Sequence, residues 1–407
     1  MGQAVVTNED EAALLPLAIS PVPGGGSRLA FMGDDGAVHV AALNAEDVLT
    51  ENAMAIPAND FQDLFATDDG GVLLLTRNAE GGGTLNCGND TNLCAIPDPP
   101  VPCHDMYLVR FTDAGEQWAT RLTSSSAELP PYSTGPDGPA ATMIWWYAHH
   151  GQIASNANTF AAYFGSAISV STGTCVNIHQ GDRMQLVNLD GTPAQGGFGW
   201  GCSTSGYERV VWNAAAHAYV AVCKSEVADT DGNPQGVIAF APEKTVIETV
   251  DPWYANVSEL VPADDGGYWI AVSDRREGQP ERTPGLAEVH LFHFTSDGAD
   301  IRWTVDGMDG RNMRSPHLAA VGADRLLLMF ESSDDPGEMA QAAERTLHLQ
   351  WRRRDDGAPI GEVISVPGAE GHRYQLLRAF PDGSSAFPMR GTTATSIRIL
   401  RVLPCET

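Results

Sequence analysis

Short apolar runs separated by Asp-Gly turns recur along the whole of this chain. The clearest copy is Leu64–Thr76, in which Asp68-Asp69-Gly70-Gly71 separates two apolar segments. A second pair of segments follows at Met106–Gly115 and Trp118–Leu122. Because short apolar runs bounded by turn residues are typical of strands, this unit predicts four antiparallel strands joined by two tight hairpins and one longer loop.

The same unit returns at Leu260–Ile270, with its second half at Val289–Gly298 and Ile301–Trp303, and weaker copies fill the rest of the chain. The turns of the first hairpins fall near residues 25, 69, 157, 215, 265, 323 and 382. A period of this size with four strands per unit is typical of propeller blades. The sequence therefore predicts an all-β fold, a single seven-bladed β-propeller domain of four-stranded antiparallel blades over residues 1–407.

Two features depart from the regular repeat, namely the incomplete unit at the C-terminal end and one long interval between successive turns. The last copy ends with the strand Ser396–Val402, one strand short. We expect residues Ala4–Thr7 to supply the missing strand, because closing the ring removes an open sheet edge. The one long interval between turns is assigned to loop insertions in the second unit near 78–104 and 123–144, both rich in Gly, Pro, Ser and Asn.

Units two and five resemble bacterial propeller repeats in which Asp-Gly-Gly precedes an apolar strand. In both units a later strand carries alternating large apolar residues and is followed, after a turn, by Trp118 or Trp303. The resemblance covers these two units well and the others loosely. Such repeats occur mostly in extracytoplasmic and lipid-anchored bacterial proteins, so the resemblance implies a periplasmic, cell-surface or secreted location. It implies a fold and leaves the function open.

Charge and cysteine content narrow the classes of partner and compartment. The formal net charge of −28 disfavours nucleic acid and anionic membranes as partners. No apolar run is long enough to span a membrane, and the N-terminus lacks the features of a signal peptide. A lipid anchor stays compatible with the sequence, and we expect a monomer. We also predict a disulfide among Cys87, Cys94 and Cys103 and another among Cys175, Cys202 and Cys223.

The candidate chemistry lies on the face opposite the Asp-Gly turns. The stretch Trp145–Gln152 places aromatic residues and two histidines at the start of a predicted strand. Imidazole nitrogens bind transition metals, and a propeller axis lets histidines of different blades converge. We therefore predict a metal site for Cu, Zn or Fe formed by His149, His150, His179, His317 and His372. Structural histidines remain the alternative. The predicted ligand-binding residues are Trp145, Trp146, Tyr147 and Gln152.

Three functions remain open from the sequence. The first is a propeller that binds a small-molecule, glycan or peptide ligand on the histidine-bearing face. The second is a metal-dependent oxidoreductase or lyase, with Tyr147 or Asp182 as the catalytic acid or base. The third is a protein-interaction scaffold. The segment Asp229–Asn233 also resembles the start of a calcium loop, although no Glu follows at its far end and a plain turn is the alternative.

Overall fold

The structure is a computed structural model, and it describes residues 17–404 with gaps. The longer gaps are 79–103, 124–133, 144–150, 226–234 and 279–284, and the shorter ones are 34, 136–137, 140, 172–175, 199–201, 203–205, 241–243, 277, 296, 306–307, 309, 338, 340–341, 343 and 392–395. All the regular elements of this part of the chain are β-strands. The chain divides into two compact units, residues 1–208 with 227–234 and residues 209–226 with 235–407.

The first unit contains three antiparallel sheets that follow one another along the chain. The first two each have four strands in sequence order. They are β1 (Leu17–Pro21), β2 (Ser27–Met32), β3 (Ala37–Leu43), β4 (Met54–Pro57), β5 (Asp60–Thr67), β6 (Gly70–Asn78), β7 (His104–Thr112) and β8 (Gly115–Arg121).

A small hairpin precedes the third sheet, in which two short strands pair with different halves of one long strand. The hairpin consists of β9 (Thr134–Gly135) and β10 (Gly138–Pro139), and the sheet of β11 (Ala141–Met143), β12 (Gly151–Ser155), β13 (Thr159–Ser171), β14 (Val176–Asn188) and β15 (Pro193–Phe198). The segment 123–144, predicted as a loop insertion, therefore contains three short strands, β9, β10 and β11. Residues 141–143 find ladder partners because β13 extends well beyond its hairpin with β12.

The remaining four sheets complete the series, and the boundary between the two units falls within the first strand of the fourth sheet. The fourth and fifth sheets contain β16 (Gly206–Asn213), β17 (Ala218–Ser225), β18 (Gly236–Phe240), β19 (Lys244–Ile247), β20 (Asn256–Val257), β21 (Val261–Pro262), β22 (Tyr268–Arg275), β23 (Ala287–Thr295) and β24 (Gly298–Thr304). The sixth and seventh contain β25 (Asn312–Val321), β26 (Arg325–Ser333), β27 (Thr346–Arg353), β28 (Pro359–Val366), β29 (Arg378–Ala379), β30 (Ser385–Arg390) and β31 (Ile397–Val402).

This architecture is that of a seven-bladed β-propeller, and it confirms the predicted fold class. Every predicted first-hairpin turn lies between two consecutive strands of one sheet. At one of them Gly266 has a φ of 90°, a conformation that glycine adopts without steric cost, and Asp265 Oδ1 accepts a hydrogen bond from Gly267 N at 2.9 Å. The last sheet has three strands among its described residues. The predicted closing strand Ala4–Thr7 lies outside the described residues.

The apolar cores lie between neighbouring sheets, because alternate side chains of each strand point to opposite faces. In the first unit, Leu73 packs with residues of the first sheet, whereas Leu74 packs with residues of the third. In the second unit, Leu326 and Leu327 divide in the same way between the fifth and seventh sheets. No helix in the described parts of the chain is long and apolar enough to cross a membrane.

Candidate functional site

Three first strands are irregular at the same position relative to their turns. In β5 the register shifts between Phe61 and Asp63, and in β25 it shifts between Arg314 and His317. The first strand of the fifth sheet is interrupted between β20 and β21, where Glu259 lies. Each irregularity precedes or contains a buried polar residue that is followed by leucine, namely Asp63, Glu259 or His317. Bulges of this kind change the direction in which a side chain points.

The carboxylate of Glu259 joins the first strands of three successive sheets in the second unit. Its Oε2 accepts a hydrogen bond from Leu318 N at 3.0 Å in the sixth sheet. Its Oε1 accepts one from Leu377 N at 2.6 Å at the start of the seventh sheet, and lies 3.0 Å from Nδ1 of His317. Glu259 is 5% exposed, and His317 is fully buried.

The charge state of Glu259 fixes the tautomer of His317. Burial opposes ionisation of Glu259, but the neighbouring His317 and Arg209 and the Leu318 N–H bring its pKa below the ordinary value. An ionised carboxylate only accepts hydrogen bonds, so Nδ1 of His317 must carry the proton. In neutral His317 the other nitrogen, Nε2, therefore presents a lone pair, and it has no hydrogen-bond partner among the described residues.

His372 lies beside this pair, immediately before the seventh sheet. Both of its ring nitrogens are shielded from solvent, and neither has a hydrogen-bond partner in the described structure. Its ring packs against Tyr374 with centroids 5.7 Å apart. Burial, with smaller effects of His317 and Arg345, lowers the pKa of His372 to about 3. His372 is therefore neutral at physiological pH, and one of its nitrogens carries a lone pair.

Glu331 at the end of β26 holds the backbone next to His372. Its Oε1 accepts a hydrogen bond from Gly371 N at 2.8 Å and lies 3.6 Å from Nη1 of Arg345. A side chain at Gly371 would approach the Glu331 side chain to 3.2 Å, so glycine permits this close packing. Burial raises the pKa of Glu331 to about 7 despite the opposing effect of Arg345. We call Glu259, His317, Glu331 and His372 the inner polar cluster.

Asp182, predicted as a possible catalytic acid or base, lies in the first unit among groups of the protein that donate hydrogen bonds to it. It is fully buried, and it accepts hydrogen bonds from the Tyr163 hydroxyl and from Cys202 N. Burial, followed by the charge of Asp182, raises the pKa of Tyr163 well above its ordinary value. Neither group is exposed to a substrate in this arrangement.

A disulfide joins Cys202 to Cys223 and confirms one of the two predicted bridges. Among the described residues, one group of three potential ligands has its donor atoms within 4.8 Å of one another, namely Asp182, Cys202 and Cys223. Because both sulfurs are engaged in the disulfide, this group offers no thiolate to a metal. Cys87, Cys94, Cys103 and Cys175 lie outside the described residues.

The other predicted site residues are placed only in part. His317 and His372 both lie in the second unit and belong to the inner polar cluster, and their role as metal ligands stays a prediction. Gln152 is buried in β12, and His179 lies on β14. The predicted calcium loop Asp229–Asn233 lies outside the described residues. So do the aromatic and histidine residues at the start of the predicted third unit, namely Trp145, Trp146, Tyr147, His149 and His150.

The sequence interpretation missed Glu259, Glu331 and Arg345. Glu259 had a signal, because Asp63-Leu64, Glu259-Leu260 and His317-Leu318 occupy equivalent places before the turns of their units. Glu331 lies on the second strand of the sixth sheet, and Arg345, which lies beside Glu331, is in the loop that follows this strand. No short motif marks these two residues.

Comparisons with known proteins assign the chain to no protein family. No protein-family model matches the chain, and no curated protein matches it. Solved structures with distant similarity include a protein of unknown function from Dyadobacter fermentans (10% identity, TM-score 0.42, 94% of this chain and 92% of that one). They also include a post-proline cleaving enzyme from Rickettsia typhi (10% identity, TM-score 0.40, 92% of this chain and 49% of that one). A third is a thermostable family-43 glycoside hydrolase (10% identity, TM-score 0.35, 62% of this chain and 89% of that one). The fold class rests on the strand pairing above, and likenesses this distant carry no information about function.

Proposed function

We propose that this protein is a ligand-binding propeller whose inner polar cluster receives a small ligand. The observation that carries the proposal is the pair of histidines with unpartnered nitrogens. Nε2 of His317 and both ring nitrogens of His372 are buried without hydrogen-bond partners in the described structure. Leaving a buried polar atom unpaired costs about 1 to 3 kcal/mol, so a ligand that pairs with these atoms recovers free energy on binding.

Other buried histidines of the same unit show what a structural role looks like. Nε2 of His348 lies 2.7 Å from the Ser332 hydroxyl, and its Nδ1 lies 3.2 Å from the Ser365 hydroxyl. Nδ1 of His290 lies 3.0 Å from the Thr304 hydroxyl. These rings pair with neighbouring hydroxyl groups of their own sheets. His317 and His372 differ because three of their four ring nitrogens are buried without a hydrogen-bond partner among the described residues, and this difference favours ligand binding over blade packing.

The charge states of the cluster restrict the chemistry of the ligand. When its ring is neutral, His317 offers a lone pair at Nε2, and neutral His372 offers one donor and one acceptor. Ligands that supply hydrogen-bond donors, such as the hydroxyls of a sugar or the amine of a peptide, are complementary to these atoms. A metal cation is complementary to the same lone pairs. Because Asp182 is fully engaged in hydrogen bonds, it does not favour the enzyme alternative.

The disulfide indicates the compartment in which the protein would bind this ligand. Disulfides persist in oxidising compartments and are rare in the cytosol. The Cys202–Cys223 bridge is consistent with an extracytoplasmic location, which we propose for the protein. A periplasmic, cell-surface or secreted ligand then fits better than a cytosolic metabolite.

A thermal-shift screen of small polar compounds tests the proposal. We would compare the wild type with His372→Ala, which removes a ring without hydrogen bonds to the described residues, and with His217→Asn. His217 is exposed in a turn at a φ of 51°, a conformation that asparagine tolerates, so this variant is a matched histidine control. We expect compounds that raise the melting temperature of the wild type and the control but not of His372→Ala. Stabilisation that is equal in all three proteins, or absent from all three, contradicts the proposal.

A further inference from the structure

We propose that the inner polar cluster binds a divalent transition-metal ion through Nε2 of His317 and one ring nitrogen of His372. This inference rests on the proposed function and specifies the ligand class of the same site. Imidazole nitrogens suit zinc, copper, iron and nickel. The inference depends on how the protein orients the two rings, and each ring is held by a different device.

His317 has the outer-shell partner that metal-binding histidines usually have. In protein metal sites the second ring nitrogen commonly donates its hydrogen to a carboxylate, which fixes the ring and makes the ligating nitrogen more basic. Glu259 supplies this carboxylate at 3.0 Å from Nδ1. Glu259 is itself fixed by Leu318 N and Leu377 N, so its orientation does not depend on His317. Only Nε2 remains to bind a metal.

The ring of His317 is also immobilised by packing. The bulge after Arg314 places Ser315 at a φ of 52°, and the ladder resumes at His317. The His317 ring then packs against Phe387 with centroids 4.8 Å apart. A fixed ring loses little side-chain entropy when it binds a metal, so this arrangement favours binding.

His372 is brought to the cluster by its backbone. Gly371 N donates to Glu331, and Leu377 N donates to Glu259, so both ends of the segment 371–377 are held by cluster carboxyls. Leu377 N and Nδ1 of His317 contact the same oxygen, Oε1 of Glu259, so the segment that carries His372 lies beside His317. Both ring nitrogens of His372 are buried without hydrogen-bond partners in the described chain.

The protein supplies two nitrogen ligands in this part of the fold. Among the described residues, the cluster contains no group of three donor atoms within 4.8 Å of one another. The remaining coordination positions would be filled by water or by an exogenous ligand. A site with two protein nitrogens and open positions matches a role in holding a second molecule, and it differs from closed structural sites with four protein ligands.

Copper(II) and zinc(II) are the probes for this inference, used with untagged full-length protein. Isothermal titration with zinc measures affinity and stoichiometry, and the electron paramagnetic resonance spectrum of bound copper counts the coordinating nitrogens. We expect one ion per chain, with two imidazole nitrogens at copper. His372→Ala and His317→Gln should each weaken zinc binding at least about 100-fold, because each removes one of two nitrogen ligands, whereas His217→Asn should leave binding unchanged.

Glu259→Gln separates orientation from ligation. This substitution keeps the shape of the side chain and removes its charge, so it should weaken zinc binding by about 10- to 100-fold while copper still shows two nitrogens. Circular dichroism and the melting temperature establish that each variant is folded. Absence of zinc and copper binding, or binding that is unchanged in folded His372→Ala and His317→Gln, overturns the metal inference.

The two proposals can fail separately. If metals do not bind the cluster but small molecules stabilise the wild type in a His372-dependent way, the metal inference is wrong and the proposed function stands. If neither metals nor small molecules distinguish His372→Ala from His217→Asn, both are wrong.

Discussion

Removal of the Glu259 carboxylate should destabilise the fold far more than removal of a surface acid. Glu259→Ala leaves three buried donors without their acceptor, namely Nδ1–H of His317, Leu318 N–H and Leu377 N–H. Each unpaired donor costs about 1 to 3 kcal/mol. The sum lies between about 3 and 9 kcal/mol, and we expect about 4 kcal/mol because water can enter the space left by the side chain.

The matched control is Asp113→Ala. Asp113 forms an ion pair with Arg28 at 3.1 Å, but its side chain is 66% exposed. Exposed ion pairs contribute about 0 to 1 kcal/mol, so this variant should remain close to the wild type. The comparison therefore contrasts two carboxylates that differ in burial and in the number of backbone donors they accept.

Urea unfolding, followed by tryptophan fluorescence and by circular dichroism, measures both effects. Coincident transitions by the two probes would justify a two-state free energy. The pKa of Glu259 is below its ordinary value of 4.5, so its stabilisation is present above pH 4.5 and is lost as the pH falls through the folded pKa. The difference between wild type and variant should shrink accordingly in acid. A loss below about 1 kcal/mol at pH 7 would refute the assigned role of Glu259.

Three further predictions concern other parts of the molecule. Burial, followed by the charge of Arg302, lowers the pKa of His290 to about 4, so its stabilisation is present above the ordinary 6.5 and is lost as the pH falls towards 4. Between pH 7 and pH 5 the wild type should lose about 2 kcal/mol more than His290→Gln in urea unfolding, and parallel curves would contradict this. Replacing Cys202 and Cys223 together by serine opens a loop of about 22 residues and should lower the free energy of unfolding by about 3 kcal/mol. Thiol titration of the unfolded, unreduced wild type should find five free thiols or fewer, and seven would exclude the bridge. Deleting residues 1–10 should lower the melting temperature, because Ala4–Thr7 are predicted to complete the last sheet, and an unchanged melting temperature would show that they do not.

The fold could be predicted from the sequence because its signals are local and repeated. The turns at Asp68-Asp69 and Asp264-Asp265 each separate two apolar segments. A turn also separates two consecutive strands in each of the remaining sheets. The exception was the segment 123–144. Its composition is typical of a loop, but residues 141–143 form a strand because the long β13 offers them an unpaired edge. Such pairing depends on the length of a partner strand, which composition does not reveal.

The candidate site could be predicted only in part. His317 and His372 were identified because histidines at the starts of first strands converge in a propeller. Glu259 was missed, although its place before Leu260 is equivalent to that of His317 before Leu318. The partnership of Glu331 with Gly371 N could not be predicted, because it depends on a close approach of two backbone segments 40 residues apart. Sequence spacing identifies which residues face the site, and packing decides which of them meet.

We propose that Glu259 fixes the ring of His317 so that, when the ring is neutral, Nε2 presents a lone pair to a ligand. The most direct measurement is nitrogen NMR of the protein labelled with ¹⁵N in the rings of its eleven histidines, with His317 assigned by the loss of its signals in His317→Gln. In the neutral ring of His317 we expect a protonated Nδ1 and an unprotonated Nε2. We also expect zinc to shift the signals of His317 and His372 and to leave those of His290 and His348 unchanged. A proton on Nε2 of neutral His317, or zinc shifts confined to other histidines, would contradict this proposal.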